Sequence, residues 1–200
     1  PNGETSSATY DLNGRPVAVQ TGSDTAWSMT YDTYGRLTQK RQGLTQNSVV
    51  YSYNSSGYVS SITNALSETY SFGYDLAGRV VSITLPDSRV ISKTYNSDGM
   101  LTSVTPPGRP GHTFVYNSIK EVSDYQPPSI GVGISKNTTY SYNNDKQITQ
   151  INLPNSDTIG FTYNSTTGKL TSKNTPSGNY QYFYALDSGM VEKIVSPNGP

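Results

Sequence analysis

His112 is the only histidine in this 200-residue chain, and there is no cysteine. A nucleophilic triad would have to be drawn from His112, Asp124 and one of many serines. No Gly-x-Ser-x-Gly elbow lifts a serine out of a strand-to-helix turn, so that reading has no support. The lack of cysteine excludes a thiol nucleophile, a disulfide and a Cys-ligated metal, and one imidazole does not make a histidine-rich metal site. Glycosidase chemistry needs two carboxylates facing each other across a cleft. The 14 acids are instead scattered singly, mostly in turn-like contexts. The sequence predicts a chain that is not an enzyme, with no catalytic residue, no metal site and no cofactor.

Charge narrows the partners. Lys and Arg number 14 against 14 Asp and Glu, a formal net charge of zero. There is no basic excess to release counterions, so neither nucleic acid nor an anionic membrane surface is expected. No apolar run reaches the roughly 18 residues of a membrane span, and no signal-peptide pattern opens the chain. Charged residues are 14% of the total, and Tyr alone contributes 17 residues. A disordered polar segment would be poor in aromatic and β-branched residues. Here Tyr, Thr, Val and Ile abound, and they suit a pleated, half-buried surface.

They are also ordered along the chain. Tyr10-Asp11 precedes Gly14-Arg15, Tyr31-Asp32 precedes Gly35-Arg36, and Tyr74-Asp75 precedes Gly78-Arg79. Asn replaces Asp in Tyr53-Asn54 with Gly57 and in Tyr95-Asn96 with Gly99. Looser copies begin at Tyr116, Tyr142, Tyr163 and Tyr184. Lys120 and Lys146 stand near where the turn glycine belongs, and one extra residue precedes Gly168 and Gly189. The steps from Tyr10 are 21, 22, 21, 21, 21, 26, 21 and 21 residues. Self-similarity at a fixed period marks a repeat architecture.

A second signal keeps the same period. Pro86-Asp87-Ser88, Pro107-Gly108, Pro154-Asn155-Ser156, Pro176-Ser177-Gly178 and Pro197-Asn198-Gly199 each follow a repeat tyrosine at a similar distance. Pro1-Asn2-Gly3 has the same phase, so the chain reads as an excerpt or a stand-alone array cut at repeat boundaries. Two turns per period leave two strands of about six to eight residues. At the first turn, Asp can bond its own backbone two residues on, and Gly supplies the positive φ of a bulged hairpin. At the second, Pro fixes φ ahead of residues tolerant of left-handed geometry.

Ahead of each turn the aromatics lie two apart: Tyr51 and Tyr53, Tyr70 with Phe72 and Tyr74, Phe161 and Tyr163. That spacing puts them on one face, a stripe. On the returning strand Val59 and Ile62, Val80 and Ile83, and Ile148 and Ile151 are three apart. Either a bulge intervenes in every repeat, or both faces carry apolar surface. The expected fold is all-β: about nine hairpins of 21 residues over 1–200, forming one antiparallel array with an irregular, enlarged repeat at 116–141. Eighteen strands at about 4.8 Å span roughly 86 Å, and a sheet that wide should curve or spiral.

On the residues quoted at Tyr10, Tyr31 and Tyr74, the chain resembles the YD-repeat, or Rhs-repeat, family over essentially its whole length. That family includes bacterial Rhs toxins, the C component of insecticidal toxin complexes and the teneurins. The resemblance implies a spiralling β-shell that encloses a toxin polypeptide in bacterial members and serves adhesion in teneurins. It also implies a secreted or cell-surface, bacterial setting. Nothing here resembles the conserved segment, with its aspartyl autoprotease, in which bacterial members usually end. A ring of about 86 Å circumference is only about 27 Å across, too small for a folded cargo whose radius of gyration is about 13 Å. The partners expected are therefore a toxin cargo and adjacent shell repeats in a larger parent, with self-association through open sheet edges.

Two further features allow a binding role. The tyrosine stripe would suit a carbohydrate or cell-surface adhesion module, although Trp27 is the only tryptophan. The 26-residue step holds Pro127, Pro128, Ile130 and Gly131, either a tolerated enlarged loop or a contact loop for a partner. Sequons at Asn54, Asn137 and Asn164 would accept glycans in a eukaryotic secreted protein.

Overall fold

The computed structural model describes residues 5–43, 47–129 and 137–197. Strands alternate with tight turns throughout, and among the described residues there is no helix. The first strands are β1 (Ser6–Tyr10), β2 (Pro16–Thr21), β3 (Trp27–Tyr31), β4 (Leu37–Gln42) and β5 (Ser48–Tyr53). Next come β6 (Val59–Thr63), β7 (Thr69–Tyr74), β8 (Val80–Thr84) and β9 (Val90–Tyr95). They are followed by β10 (Leu101–Thr105), β11 (His112–Tyr116), β12 (Val122–Gln126), β13 (Thr138–Tyr142) and β14 (Ile148–Asn152). The last are β15 (Thr158–Tyr163), β16 (Leu170–Thr175), β17 (Gly178–Tyr184) and β18 (Val191–Val195).

The chain divides into two compact units, Pro1–Lys93 with Pro106–Gly108, and Thr94–Thr105 with Arg109–Pro200. In the first, β1 to β9 pair antiparallel in sequence order. In the second, β10 to β18 do the same. Neither unit encloses a core: among the described residues no hydrophobic side chain is fully buried. Each is one layer of strands whose side chains shield one another sideways.

The register settles the spacing of three on the return strands. Tyr53 pairs with Val59 but Ser52 pairs with Ser61, so Ser60 is an extra residue. That bulge brings Val59 and Ile62 to the same face, beside Tyr53 and Tyr51. The same shift falls just before Tyr31, Tyr74, Tyr116, Tyr142, Tyr163 and Tyr184. The two faces therefore differ in character. In the first unit Ile62 pairs with Tyr51 and Tyr70, and Ile83 with Phe72 and Ile91. On the opposite face Ser61 pairs with Ser52 and Ser71, and Ser82 with Gly73 and Ser92. The second unit repeats this, with Ile151 between Tyr140 and Ile159, and Gln150 between Ser141 and Gly160. One face is mainly aromatic and aliphatic and the other mainly hydroxyl and amide, with Val50, Val115 and Phe183 on the polar face and Lys40 and Lys173 on the aromatic one.

Turn chemistry fixes the hairpin ends. Asp11 N–H donates to the Arg15 carbonyl and Gly14 N–H to the Asp11 carbonyl. This is a type I turn closed by a left-handed residue. At two of the second turns the left-handed residue is the serine two places after proline: Ser88 N–H donates to the Leu85 carbonyl, and Ser88 has φ 68°. Ser156 sits identically, with φ 69°. In the loose copies Lys120 and Lys146 occupy the glycine position at φ 66° and 62°. The extra residue before Gly168 and Gly189 widens those turns by one: Gly168 N–H donates to the Asn164 carbonyl, and Gly189 N–H to the Ala185 carbonyl.

Candidate functional site

The repeated motif builds a latch between successive hairpins. In the turn after β3, Asp32 Oδ1 accepts the backbone N–H groups of Tyr34 and Arg36, both at 2.9 Å. Its Oδ2 takes Arg36 Nε and Nη2, both at 2.7 Å. Asp11 with Arg15 and Asp75 with Arg79 repeat the arrangement. The carboxylate thus shapes the turn and aims the guanidinium. The Arg15 backbone N–H holds the Asp11 carboxyl below the usual range, and Arg79 does so at Asp75, each against partial burial. At Asp32 burial is the largest single influence and pushes upward, but the Arg36 backbone and guanidinium bonds outweigh it.

Two of the aimed side chains meet the ring of the next repeat's tyrosine. The Arg15 guanidinium lies 4.7 Å from the Tyr31 ring centre, and that of Arg36 lies 4.4 Å from Tyr53. Where another residue follows the turn glycine, the contact persists with different chemistry. Tyr58 stacks on Tyr74 at 5.0 Å, Gln147 Nε2 donates to the Gly168 carbonyl, and Lys169 Nζ donates to the Gly189 carbonyl. Sequence reading missed this role for the residue after glycine; its signal was a recurring long side chain at that place.

The tyrosines complete the latch. Tyr31 Oη donates to the Pro16 carbonyl at 2.8 Å, Tyr53 to Leu37 at 2.7 Å, and Tyr74 to Val59 at 2.7 Å. In the second unit Tyr116 reaches Leu101, Tyr142 reaches Val122, Tyr163 reaches Ile148 and Tyr184 reaches Leu170. Every acceptor is the first residue of the preceding return strand, at the mouth of the bulge. Burial raises the Tyr163 and Tyr142 phenols above their ordinary range, helped at Tyr142 by the nearby Glu121 carboxylate. Tyr10 is 62% exposed. Asn54 and Asn96 replace Asp as acceptors: Asn54 Oδ1 takes the Ser56 and Tyr58 N–H groups, and Asn96 Oδ1 takes that of Met100. Gly57 and Gly99 close those turns onto the Asn54 and Asn96 carbonyls.

Other sequence candidates are kept apart. His112 and Asp124 do not form a triad. His112 lies on the aromatic face with its Nδ1 2.6 Å from Tyr125 Oη, whereas Asp124 pairs with Val115 and Thr139 on the polar face. Asp124 Oδ2 accepts instead from the amides of Gln126 and Asn137. Pro127 and Pro128 follow β12 and are half-buried, while Ile130 and Gly131 lie outside the described residues. Among the described residues no cluster of His, Asp or Glu is fit to hold a metal ion, and no helix is long and apolar enough to cross a membrane.

A family model described as the teneurin YD-shell matches residues 2–199. The chain belongs to the teneurin YD-shell family. Solved structures share its fold. The crystal structure of TcdB2-TccC3-TEV superposes with a TM-score of 0.76 at 14% identity, covering 96% of this chain and 11% of that one. That of TcdB2-TccC3-Cdc42 gives 0.68 at 15% identity, with 96% and 12% covered. That of TcdB2-TccC3 without its hypervariable C-terminal region gives 0.54 at 13%, with 90% and 12% covered. No curated protein sequence matches. The chain spans about an eighth or less of the solved chains it resembles. Family and fold together make this YD-shell chain a segment of structural shell wall.

Proposed function

We propose that this chain is a length of wall, one continuous array of hairpins, in a larger secreted or cell-surface shell protein of bacterial origin. We further propose that the shell confines a polypeptide toxin. The observation that carries the reading is the serial latch. Tyr31, Tyr53, Tyr74, Tyr116, Tyr142, Tyr163 and Tyr184 each bond the carbonyl at the previous bulge, and Arg15, Arg36, Tyr58, Gln147 and Lys169 reach the next repeat from the place after the turn's left-handed residue. Strand pairing together with this stitching leaves no seam between neighbouring hairpins, as a containing wall requires. The polar face, rich in Ser, Thr, Asn and Gln, suits a wall that confines without tight binding. Confinement needs no catalytic residue. Open sheet edges at the ends of the array would pair with adjacent shell repeats, or with a second copy when those are missing.

The motif tyrosines of the stripe give little support to a carbohydrate platform, since the hydroxyls of Tyr31 and Tyr53 are spent on backbone and Arg15 and Arg36 cover their rings. The test of confinement is limited proteolysis of the full-length parent protein. Confinement predicts an enclosed segment that survives protease until the shell is unfolded by denaturant, with protection lost at the same denaturant concentration as β circular dichroism. A parent with no internally protected segment would overturn the proposal.

A further inference from the structure

The aromatic face of the first unit breaks its own pattern at two places. On the return strands Val19, Ile62 and Ile83 pair with Ala8, Tyr51 and Phe72. In β4 the equivalent residue is Lys40, opposite Met29. Lys93 stands two places before Tyr95, as Tyr51 and Phe72 stand before Tyr53 and Tyr74. Ile91 pairs with Ile83, so strand alternation puts Lys93 on this same face. Two lysines thus occupy positions that the repeat gives to apolar residues, and such departures from a consistent pattern concentrate at functional sites.

Neither lysine answers an acid of this chain. No strand of the first unit contains Asp or Glu. Among the described residues no carboxylate lies within ion-pair reach of either lysine. A lysine kept only for solubility extends its head into water. Lys40 is instead half-buried, with Nζ 4.2 Å from the centre of the Trp27 ring, and Lys93 is half-buried too. They stand five strands apart, roughly 24 Å at 4.8 Å per strand. Between them run Tyr51, Ile62, Tyr70, Phe72, Ile83 and Ile91, all half-buried and none enclosed. An apolar sheet face is ordinarily covered by a second layer, yet each strand here contacts only its sequence neighbours.

We propose that this face docks an apolar polypeptide segment that carries carboxylates. Its apolar side chains lie along the track from Tyr51 to Ile91, and its acidic groups meet the ammonium groups of Lys40 and Lys93. Charge decides the partner. Strands with cations and no anion attract an acidic segment and disfavour a basic one. A second copy of the same face would set lysine against lysine. Two lysines also fall short of the roughly four to eight clustered cations by which an anionic lipid surface is held. Docking does not depend on confinement of a toxin, and protease protection in the parent does not depend on docking, so either proposal can fail alone.

Trp27 is the only tryptophan of the chain and lies beside Lys40, so its emission reports on this face. The chain is titrated with an amphipathic Leu/Glu peptide of about 18 residues, roughly 27 Å long as a helix and so matched to the track. Parallel titrations use the Leu/Lys counterpart and vesicles of phosphatidylcholine with phosphatidylglycerol. The Leu/Glu peptide should shift the emission to the blue and saturate with Kd below about 100 µM, more weakly as salt rises. The Leu/Lys peptide should bind at least about tenfold less tightly. Lys93→Glu leaves the Lys40 contact with Trp27 in place and should weaken the Leu/Glu peptide at least about fivefold, whereas Lys93→Arg should retain it. Circular dichroism should be unchanged in both variants. Equal affinity for the two peptides, a response to vesicles alone, no response at all, or undiminished binding by Lys93→Glu would overturn the assignment.

Discussion

A motif tyrosine joins two hairpins with one hydroxyl, and the phenylalanine variant isolates that bond. Tyr74→Phe keeps the ring stacked on Tyr58 but strips the Val59 carbonyl of its donor. The expected cost is about 1 kcal/mol, read as a lower urea midpoint at unchanged slope. Tyr10→Phe should cost almost nothing, because Tyr10 is largely exposed. Equal losses at the two positions would show that the hydroxyl is not the stitch. The turn carboxylates give the residue scale a pH signature. The carboxyls of Asp11, Asp32, Asp75 and Asp87 are all held below the ordinary carboxylate value in the folded chain by bonds from their arginine neighbours. A depressed folded pKa stabilises fully above the unfolded value of about 3.9, and the contribution is lost as pH falls through the folded value. The denaturation midpoint should therefore be flat above about pH 5 and fall below about pH 4. In Asp32→Asn, whose amide cannot be protonated, that acid-side fall should be shallower.

At the scale of the hairpin, one backbone geometry is made by three kinds of residue. Gly14 and Gly78 have φ near 75° and 78°, yet a Cβ on Gly14 meets nothing while one on Gly78 runs into the Tyr58 ring. Gly14→Ala should cost about 1 kcal/mol from backbone strain alone, and Gly78→Ala distinctly more, the excess measuring contact between repeats. Lys120 already bears the left-handed strain, so Lys120→Gly should stabilise the chain by up to roughly 1 kcal/mol. Its exposed 3.6 Å pair with Asp98 offsets little of that gain. No rise in thermal midpoint for Lys120→Gly would mean that the strain is relieved elsewhere. The turn types and the tyrosine face were legible in the sequence because each is a rule about residues within five positions of one another, and the period was legible because one such motif recurs about every 21 residues. The return strand was ambiguous because Val59 and Ile62 fit either a bulge or a two-sided sheet until Tyr53 is known to pair with Val59. The latch was not legible for a related reason: Tyr53 reaches Leu37, 16 residues back, and only the stagger between hairpins says which carbonyl it meets.

At the scale of the whole chain, each strand within a unit contacts only strands next to it in sequence. Stability is then a sum of hairpins and nearest-neighbour interfaces, as in other repeat proteins. A wall built this way can be lengthened or shortened by whole repeats, because no strand waits for a distant partner. Excising residues 54–74 tests this directly, since it joins Tyr53 to Asp75 and creates a new Tyr-Asp-Leu-Ala-Gly-Arg turn. The new junction keeps Arg36 facing Tyr53 and gives Asp75 its own Arg79. The shortened chain should keep its β circular dichroism and a cooperative urea transition, with the slope lower by roughly a tenth, in proportion to the surface removed. Out-of-phase excision of residues 54–69 should fail to fold, because it shifts the strand after the cut by an odd number of places relative to the bulge and the tyrosine face. If the in-phase excision also collapses, the array is held by a closure that its neighbours alone do not supply. If it folds, the number of repeats is free to follow whatever the full shell must surround.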